Sequence, residues 1–277
     1  VHGSKPYFAD AEIVKTGNGF NLYSIDGFSE TEDFFTRTPP RRIGRNMAMA
    51  ACADLLVCGV VPEIWLQSWD IDDSREVDYY REIAEGVEEV LRHYGAKCIG
   101  GDLGASNPWS CTTVVQAHSP KPPVTRIARE RVPFDLYASG SLGDANLAAF
   151  LKQPMPEFEL RDPVPSGALF ATDTSGGFFD ALENFRRVNR GMELTIELAE
   201  VLSEKLRKPD IPGLDPIWTL IGGVGEYELI FAVPKGTHVE AVLIGEGKFS
   251  GTEENVFRFS YEGEAFGRMK SPPPDYR

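Results

Sequence analysis

Cys98-Ile99-Gly100-Gly101-Asp102-Leu103-Gly104 is a short apolar run that meets two glycines and a carboxylate. A helical pattern precedes it and stops at Gly95, so the run reads as a strand with Gly100-Gly101-Asp102 at its end. Two readings of that end stay open. Glycine and aspartate are ordinary turn formers. Glycine also lets backbone approach a ligand closely, and an aspartate beside it can hold a metal cation. The chain on either side has to decide between them.

Upstream, Ala11–Lys15 and Phe20–Ile25 are apolar runs flanking Thr16-Gly17-Asn18-Gly19, a hairpin signal. The second run ends in Asp26-Gly27, another carboxylate at a strand terminus. After Pro39-Pro40, Ile43, Met47, Ala50, Ala51, Leu55 and Cys58 recur at helical spacing, and Gly59 closes the helix. Its many alanines allow another element to pack close, and Asp54 sits on or beside the apolar face, where a carboxylate needs a partner, a cation or water. Ile64–Ile71 reads as a strand. Asp73 or Ser74 is positioned to cap a helix with Val77, Tyr80, Ile83, Ala84, Val87, Val90 and Leu91 as its core stripe. Ser110–Ala117 reads as a strand after the opening segment. The order is β-β-α-β-α-β-β, which points to the α+β class rather than a doubly wound sheet.

Ser119-Pro120-Lys121-Pro122-Pro123 is the linker candidate, since prolines break helices and strands alike. It divides the chain into residues 1–124 and 125–277. In the second part, Asp135–Ser139, Ala168–Thr172, Glu193–Leu198, Tyr227–Val233 and Val242–Phe249 read as strands. Helices begin at Asp144, running to about Lys152, and at Phe178. The Pro-rich tail Ser271–Pro274 reads as frayed.

The net charge of −14 argues against nucleic acid, whose phosphates attract clustered Lys and Arg. No apolar run approaches the roughly 20 residues that span a bilayer, and no signal peptide is apparent, so the expectation is a cytoplasmic protein without membrane partners. Cys52, Cys58, Cys98 and Cys111 form no CxxC pair, lie in apolar stretches and are expected to be buried free thiols. There is no Walker A sequence, GxGxxG fingerprint, HExxH or GxSxG elbow.

What the sequence does offer is aspartates. Asp26, Asp102 and Asp173 each follow an apolar run near glycine, Asp54 lies on the small-residue helix, and Asp10 precedes the first strand. Magnesium is often shared between a few carboxylates and nucleotide phosphates, and amides in glycine turns or at the helix start after Gly177 can bind phosphate oxygens.

The ordered set of segments resembles the ATP-binding superfamily of aminoimidazole ribonucleotide synthetase, selenophosphate synthetase, a hydrogenase maturation factor and thiamine-monophosphate kinase. The segments are Tyr23-Ser-Ile-Asp26-Gly, Asp33-Phe-Phe-Thr36, Ile43-Gly-Arg-Asn through Asp54-Leu-Leu and Gly59-Val-Val-Pro62, Gly100-Gly101-Asp102, Gly140-Ser-Leu-Gly143, Asp173-Thr-Ser-Gly-Gly177 and Gly225-Glu-Tyr-Glu-Leu-Ile-Phe231. In pattern the chain is most similar to thiamine-monophosphate kinase-like proteins.

The resemblance implies an N-terminal α+β domain for ATP binding and dimerisation, which would pair into a β-barrel in a homodimer. It also implies a C-terminal α/β sandwich, with ATP between the domains and magnesium as cofactor. By motif, the magnesium ligands would be Asp10, Asp26, Asp54, Asp102 and Asp173, with Asp102 and Asp54 as the principal catalytic carboxylates. Gly100, Gly101, Thr174 and Ser175 would contact the nucleotide. The implied reaction is phosphoryl transfer from ATP to a small metabolite, or ATP-dependent activation of one. Such chemistry is mostly positioning and charge neutralisation.

The departures from the kinase pattern are specific. Its double aspartate is Ala9-Asp10, its helix asparagine falls at Ala51, and its Ser-Asp pair is Ala53-Asp54. Its second turn aspartate falls at Gly176, and its substrate-side histidine at Asp33. The maturation factor's C-terminal cysteine and the reactive residue of selenophosphate synthetase, near Gly3-Ser4-Lys5, are missing. These departures imply an altered substrate site. The alternative reading is a nucleotide-binding regulatory homologue without transfer activity. Glu226 and Tyr227 are open between core and substrate roles.

Overall fold

The computed structural model describes residues 7–31, 35–207 and 214–271. The expectations attached to Gly3-Ser4-Lys5, to Asp33 and to residues 272–274 of the tail lie outside the described residues. The chain divides into two compact units that interleave in sequence. One consists of residues 11–123 and 147–163; the other of residues up to Asp10, 124–146 and 164–277.

The first unit holds β1 (Glu12–Thr16), β2 (Gly19–Ser29), α1 (Pro40–Leu56), β3 (Ile64–Ile71), α2 (Val77–Tyr94), β4 (Lys97–Ala105) and β5 (Ser110–Ser119). Its sheet runs β1-β2-β5-β3-β4; β3 and β4 are parallel and the other pairs antiparallel. Strand alternation makes one face apolar and buried. Leu22 and Phe28 of β2, Trp65 and Trp69 of β3, and Cys111, Val115 and Ala117 of β5 point to that face. α1 packs over it against β2 and β5. Gly44 of α1 and Gly86 of α2 let the helices meet backbone to backbone. A β-carbon at either would strike a carbonyl, that of Ile83 or of Arg41. The small residues of α1 therefore serve the close packing their sequence foretells.

An extended strap, residues 151–163, lies along α1 and completes this unit. Asn46, fully buried, donates its amide to the Pro156 carbonyl (2.8 Å) and accepts the Phe158 N–H (3.0 Å). Thr38 Oγ1 accepts the Met155 N–H, and Arg42 donates to the Met155 carbonyl. At the far end the Tyr94 hydroxyl donates to the Arg161 carbonyl and accepts the Arg161 N–H. The strap buries Met155 and Phe158.

The second unit holds β6 (Phe134–Ala138), β7 (Phe170–Asp173), α4 (Phe178–Val188), β8 (Met192–Glu197), α5 (Leu198–Val201), α6 (Glu204–Arg207), α7 (Trp218–Ile221), β9 (Leu229–Pro234), β10 (Val242–Phe249), β11 (Asn255–Tyr261) and β12 (Glu264–Ser271). Helix α3 (Asp144–Phe150) passes from this unit to the other. The seven strands form one sheet, β12-β11-β8-β10-β6-β9-β7, in which only β8 and β11 are parallel. Helix α4 packs against β7 and α7, and α5 against β10 and β11. Phe134, Phe170 and Phe185 stack edge-to-face at the centre, each fully buried. Burying a side chain of that size contributes roughly 1.5–3 kcal/mol. The class is mixed α+β with two open sheets.

Several expectations change. Asp26 is not at a strand end; β2 continues to Ser29 and Asp26 pairs with Thr113. Gly100-Gly101-Asp102 is neither a turn nor a strand end but the middle of β4, paired with Leu66-Gln67-Ser68. Neither Asp73 nor Ser74 caps α2. Its N-cap is Glu76, and Asp72 instead accepts the Ser74 N–H. Cys52, Cys58 and Cys111 are buried, but Cys98 is exposed, because β4 is exposed along its whole length. No helix among the described residues is long and apolar enough to cross a membrane.

Candidate functional site

Each unit brings two of the sequence's aspartates together. In the second unit they are Asp10 and Asp173. All four residues of β7 are buried, so its last residue, Asp173, delivers a carboxylate into a site only 2 % exposed. The chain then turns through Thr174-Ser175-Gly176-Gly177 into α4. Gly177 takes φ 89°, left-handed backbone that favours glycine, and the Gly222 carbonyl approaches to 2.5 Å from where a β-carbon would stand.

Asp10 Oδ1 accepts three hydrogen bonds, from Arg126 Nη2 (2.6 Å), Thr172 Oγ1 (3.0 Å) and the Asp173 N–H (3.4 Å). Asp173 Oδ1 accepts the Ser175 hydroxyl (2.8 Å) and N–H (3.3 Å). Asp173 Oδ2 is buried with no hydrogen-bond partner among the described residues. A buried carboxylate oxygen without a partner is costly, and a cation is one of the few things that relieves it. Burial, and next the nearby Asp10 charge, push the Asp173 carboxyl up to about 7 despite the Ser175 and Arg126 contacts.

The two nucleotide-contact candidates of this turn differ. Ser175 is exposed, whereas Thr174 is fully buried and its Oγ1 accepts the Glu228 N–H (2.9 Å). A β-carbon at Gly176 would stand 2.6 Å from Asp180 Oδ2, so that carboxylate already occupies the space of the missing side chain.

Glu226 has a structural role. Its Oε1 accepts the N–H groups of Gly143 and Ala145 (2.8 and 2.7 Å) and so fixes the start of α3. Tyr227 beside it has φ 57°. Burial pushes the Glu226 carboxyl up to about 8 against those amide bonds, with Asp144 and Glu228 adding to the rise. A folded value above the unfolded one means that the folded chain holds this proton longer. Stability from this group is thus full below about pH 4.5 and is lost as pH rises through 8. Glu226→Gln keeps the accepting oxygen and removes the charge. Its melting temperature should match the parent at pH 5 and exceed it by several degrees, on the order of 2–4 °C per kcal/mol, at pH 9. A gap that stays constant with pH in thermal melts would refute this assignment.

In the first unit the pair is Asp26 and Asp54. The Ser24 hydroxyl lies between them, donating in a short bond to Asp54 Oδ2 and standing 3.4 Å from Asp26 Oδ2. Helix α1 brings Asp54 over β2 because its small residues allow close approach. Thr113, directly opposite Asp26 on β5, is fully buried and its Oγ1 has no hydrogen-bond partner among the described residues. Burial, then the charges of Asp26 and Asp54, push the buried Cys52 thiol far up, so it is inert.

Asp102 is not brought to them. Paired residues share a face of a sheet, and the row through Asp26 is Asp26, Thr113, Gln67, Gly101. Asp102 belongs to the adjoining row with Gly27, Thr112 and Ser68, on the opposite face, as does Gly100 with Ile25, Val114 and Leu66. Gly101 has its own reason: a β-carbon there would collide with the Gln67 carbonyl. Arg45 of α1 is ion-paired to Glu89 and Glu157 and is 12 % exposed.

Sequence reasoning missed Ser24, Thr113, Thr172 and Arg126 as parts of these clusters. Ser24 lies near Asp26 and Thr172 beside Asp173, but each also bonds a distant aspartate, Asp54 or Asp10, and Thr113 and Arg126 are distant in sequence from the aspartates they face or touch. Only strand register and tertiary packing reveal them.

Comparison with known proteins adds to this geometry. Residues 8–118 match the family model of the AIR synthase related protein, N-terminal domain. Over 273 residues the chain is 21% identical to thiamine-monophosphate kinase of Archaeoglobus fulgidus, covering 92% of this chain and 88% of that protein. Among solved structures, AaThiL complexed with AMPPCP and TMP superposes with a TM-score of 0.76 at 20% identity, over 95% of this chain and 90% of that one. The E. coli hydrogenase maturation protein HypE superposes with a TM-score of 0.68 at 17% identity, over 99% and 94%. These structures share the fold.

Proposed function

We propose that this chain, which carries an AIR synthase related N-terminal domain and the fold seen in thiamine-monophosphate kinase, is an ATP- and magnesium-dependent phosphotransferase acting on a small metabolite. The observation that carries the reading is the buried Asp173 carboxylate, with one oxygen used by Ser175, the other unpartnered, and Asp10 beside it. Two carboxylates held by neutral and cationic donors suit a hard divalent cation, which takes oxygen ligands. Asp10, Asp26, Asp54 and Asp173 would hold magnesium, which when bound neutralises phosphate charge. Asp102, on the opposite sheet face, stands outside the set. Ser175 and the amides of the turn before α4 would orient phosphate oxygens.

The relatives named thiamine-monophosphate kinase supply the first acceptor to try. Gly176, where the kinase pattern has an aspartate, supports an acceptor other than thiamine monophosphate. The test is ATP turnover with magnesium across a panel of small phosphorylated and unphosphorylated acceptors, thiamine monophosphate included, paired with titration calorimetry of ATP. Acceptor-dependent ADP release establishes the kinase. Tight ATP binding without turnover over the panel establishes the regulatory alternative, and no nucleotide binding overturns both.

The first unit, which takes in most of residues 1–124, is proposed as the nucleotide-binding and dimerising domain, and the second, which takes in most of residues 125–277, as its partner. The uncovered face of the first sheet supports the homodimer. Ile25 and Leu66 flank Val114 in one row there, and Ile25 is 69 % exposed. Sedimentation velocity should show a dimer that Ile25→Glu converts to monomer; a monomeric parent protein would refute it.

A further inference from the structure

We propose that Arg126 is the positioning residue of the cation site, acting through Asp10. The inference rests on the reading of Asp10 and Asp173 as cation ligands, but Arg126 itself is drawn from contacts alone. It lies 116 positions from Asp10 in sequence, and its guanidinium is 13 % exposed. The guanidinium uses two different atoms for two different tasks. Nη2 donates to Asp10 Oδ1 at 2.6 Å, and Nε donates to Thr172 Oγ1 at 3.0 Å. Thr172 in turn donates its hydroxyl proton to the same Asp10 Oδ1. Arginine, threonine and carboxylate thus close a triangle, in which the planar fork of the guanidinium fixes both angle and distance.

The arginine is itself held by backbone. Its N–H donates to the Phe8 carbonyl, two residues before Asp10, and its carbonyl accepts the Asn189 side-chain amide (2.8 Å). The preceding Thr125 carbonyl accepts the Ala171 N–H, next to Thr172. The strand end that carries Asp173 and the segment that carries Asp10 are therefore both tied to residues 125–126.

Two consequences follow. Asp10 Oδ1 is saturated with donors, so Asp10 presents the cation with its other oxygen in one orientation. And two carboxylates whose oxygens lie within 4.8 Å of each other in a buried site repel, so a cation-free chain needs a positive charge to keep them adjacent. Arg126 supplies that charge without occupying the unpartnered oxygen of Asp173.

The proposal has a sign that a bystander charge would not share. A cation near a metal site repels the metal, so deleting a bystander arginine tightens metal binding. Deleting a positioning arginine releases Asp10 and loosens binding. The experiment is Mn²⁺ alone titrated into the full chain, followed by electron paramagnetic resonance, with Asp173→Asn as reference. Arg126→Met is expected to weaken Mn²⁺ about tenfold. Arg126→Lys keeps the charge but cannot donate to Asp10 and Thr172 in the same fork, and is expected to weaken it by about threefold. Lys also serves as the second variant should Met fail to fold by circular dichroism. Unchanged or tighter Mn²⁺ binding in whichever of these folds overturns the role of Arg126 while leaving the site standing. If the parent chain binds Mn²⁺ no better than Asp173→Asn, the cation site falls and the proposal with it.

Discussion

Asp173→Asn is expected to reduce ATP turnover by at least about a thousandfold while making the cation-free protein more stable at neutral pH and above. The amide still accepts the Ser175 hydroxyl at its Oδ1, so the turn before α4 keeps its shape. What is lost is the charge on a buried oxygen that has no hydrogen-bond partner among the described residues. Removing one preorganised charge partner from a phosphoryl-transfer site costs several kcal/mol of transition-state stabilisation. Stability moves the other way. Burial and Asp10 raise the Asp173 carboxyl to about 7, above the ordinary 3.8, so the folded chain holds the proton longer than the unfolded one. The favourable contribution is complete below about pH 4 and disappears as pH rises through 7, a swing on the order of a few kcal/mol. Asn has no such dependence. Its advantage in a chelated sample should be absent at pH 4, be large at pH 8, and shrink when magnesium is added to both proteins. Parallel pH profiles of the two proteins in chemical denaturation would contradict the assignment, as would retained turnover.

The second large effect concerns stability alone. Asn46→Ala removes a fully buried amide that donates to Pro156 and accepts from Phe158. Both backbone partners lose their hydrogen bonds inside the unit. At about 1–3 kcal/mol for each of the two buried groups left unsatisfied, the loss should total roughly 2–6 kcal/mol. Asn46→Asp keeps the acceptor for Phe158 but sets a carboxylate against the Pro156 carbonyl, and is expected to be at least as damaging. Urea denaturation measures both; a loss under about 1 kcal/mol for Asn46→Ala would show that the strap is not held by this residue.

How far the sequence carried these conclusions depends on which contacts are local. In the first unit the order β-β-α-β-α-β-β is found as read, and β3 spans Ile64–Ile71 as its alternating Trp65, Trp69 pattern requires. The helix of small residues packs as its composition demands. Gly100-Gly101-Asp102 misled because glycine and aspartate are turn formers, whereas here the glycines serve an edge strand lying against Gln67 and Asp70. Which face Asp102 takes is a matter of register with β3, and one residue of register reverses it. The last two strands went unread although Phe257 and Phe259 alternate with Arg258 and Ser260, a period-2 signal that would have found β11. The aspartates themselves were legible as a class, and four of the five fall into two buried or half-buried pairs. Their supports were not. Arg126 reaches Asp10 across 116 residues, and Ser24 reaches Asp54 across 30.

The strap along α1 also bears on the order in which a ribosome delivers this protein. All five strands and both helices of the first unit have emerged by Ser119, yet the partners of Asn46, Thr38 and Tyr94 arrive only with residues 155–161. Between those points the nascent chain must also extend through residues 124–146, with β6 and the start of α3, which belong to the other unit. The unit whose sheet is synthesised first is therefore not complete first as a linear module. During that interval the strap-binding side of α1 is open to water or to a chaperone.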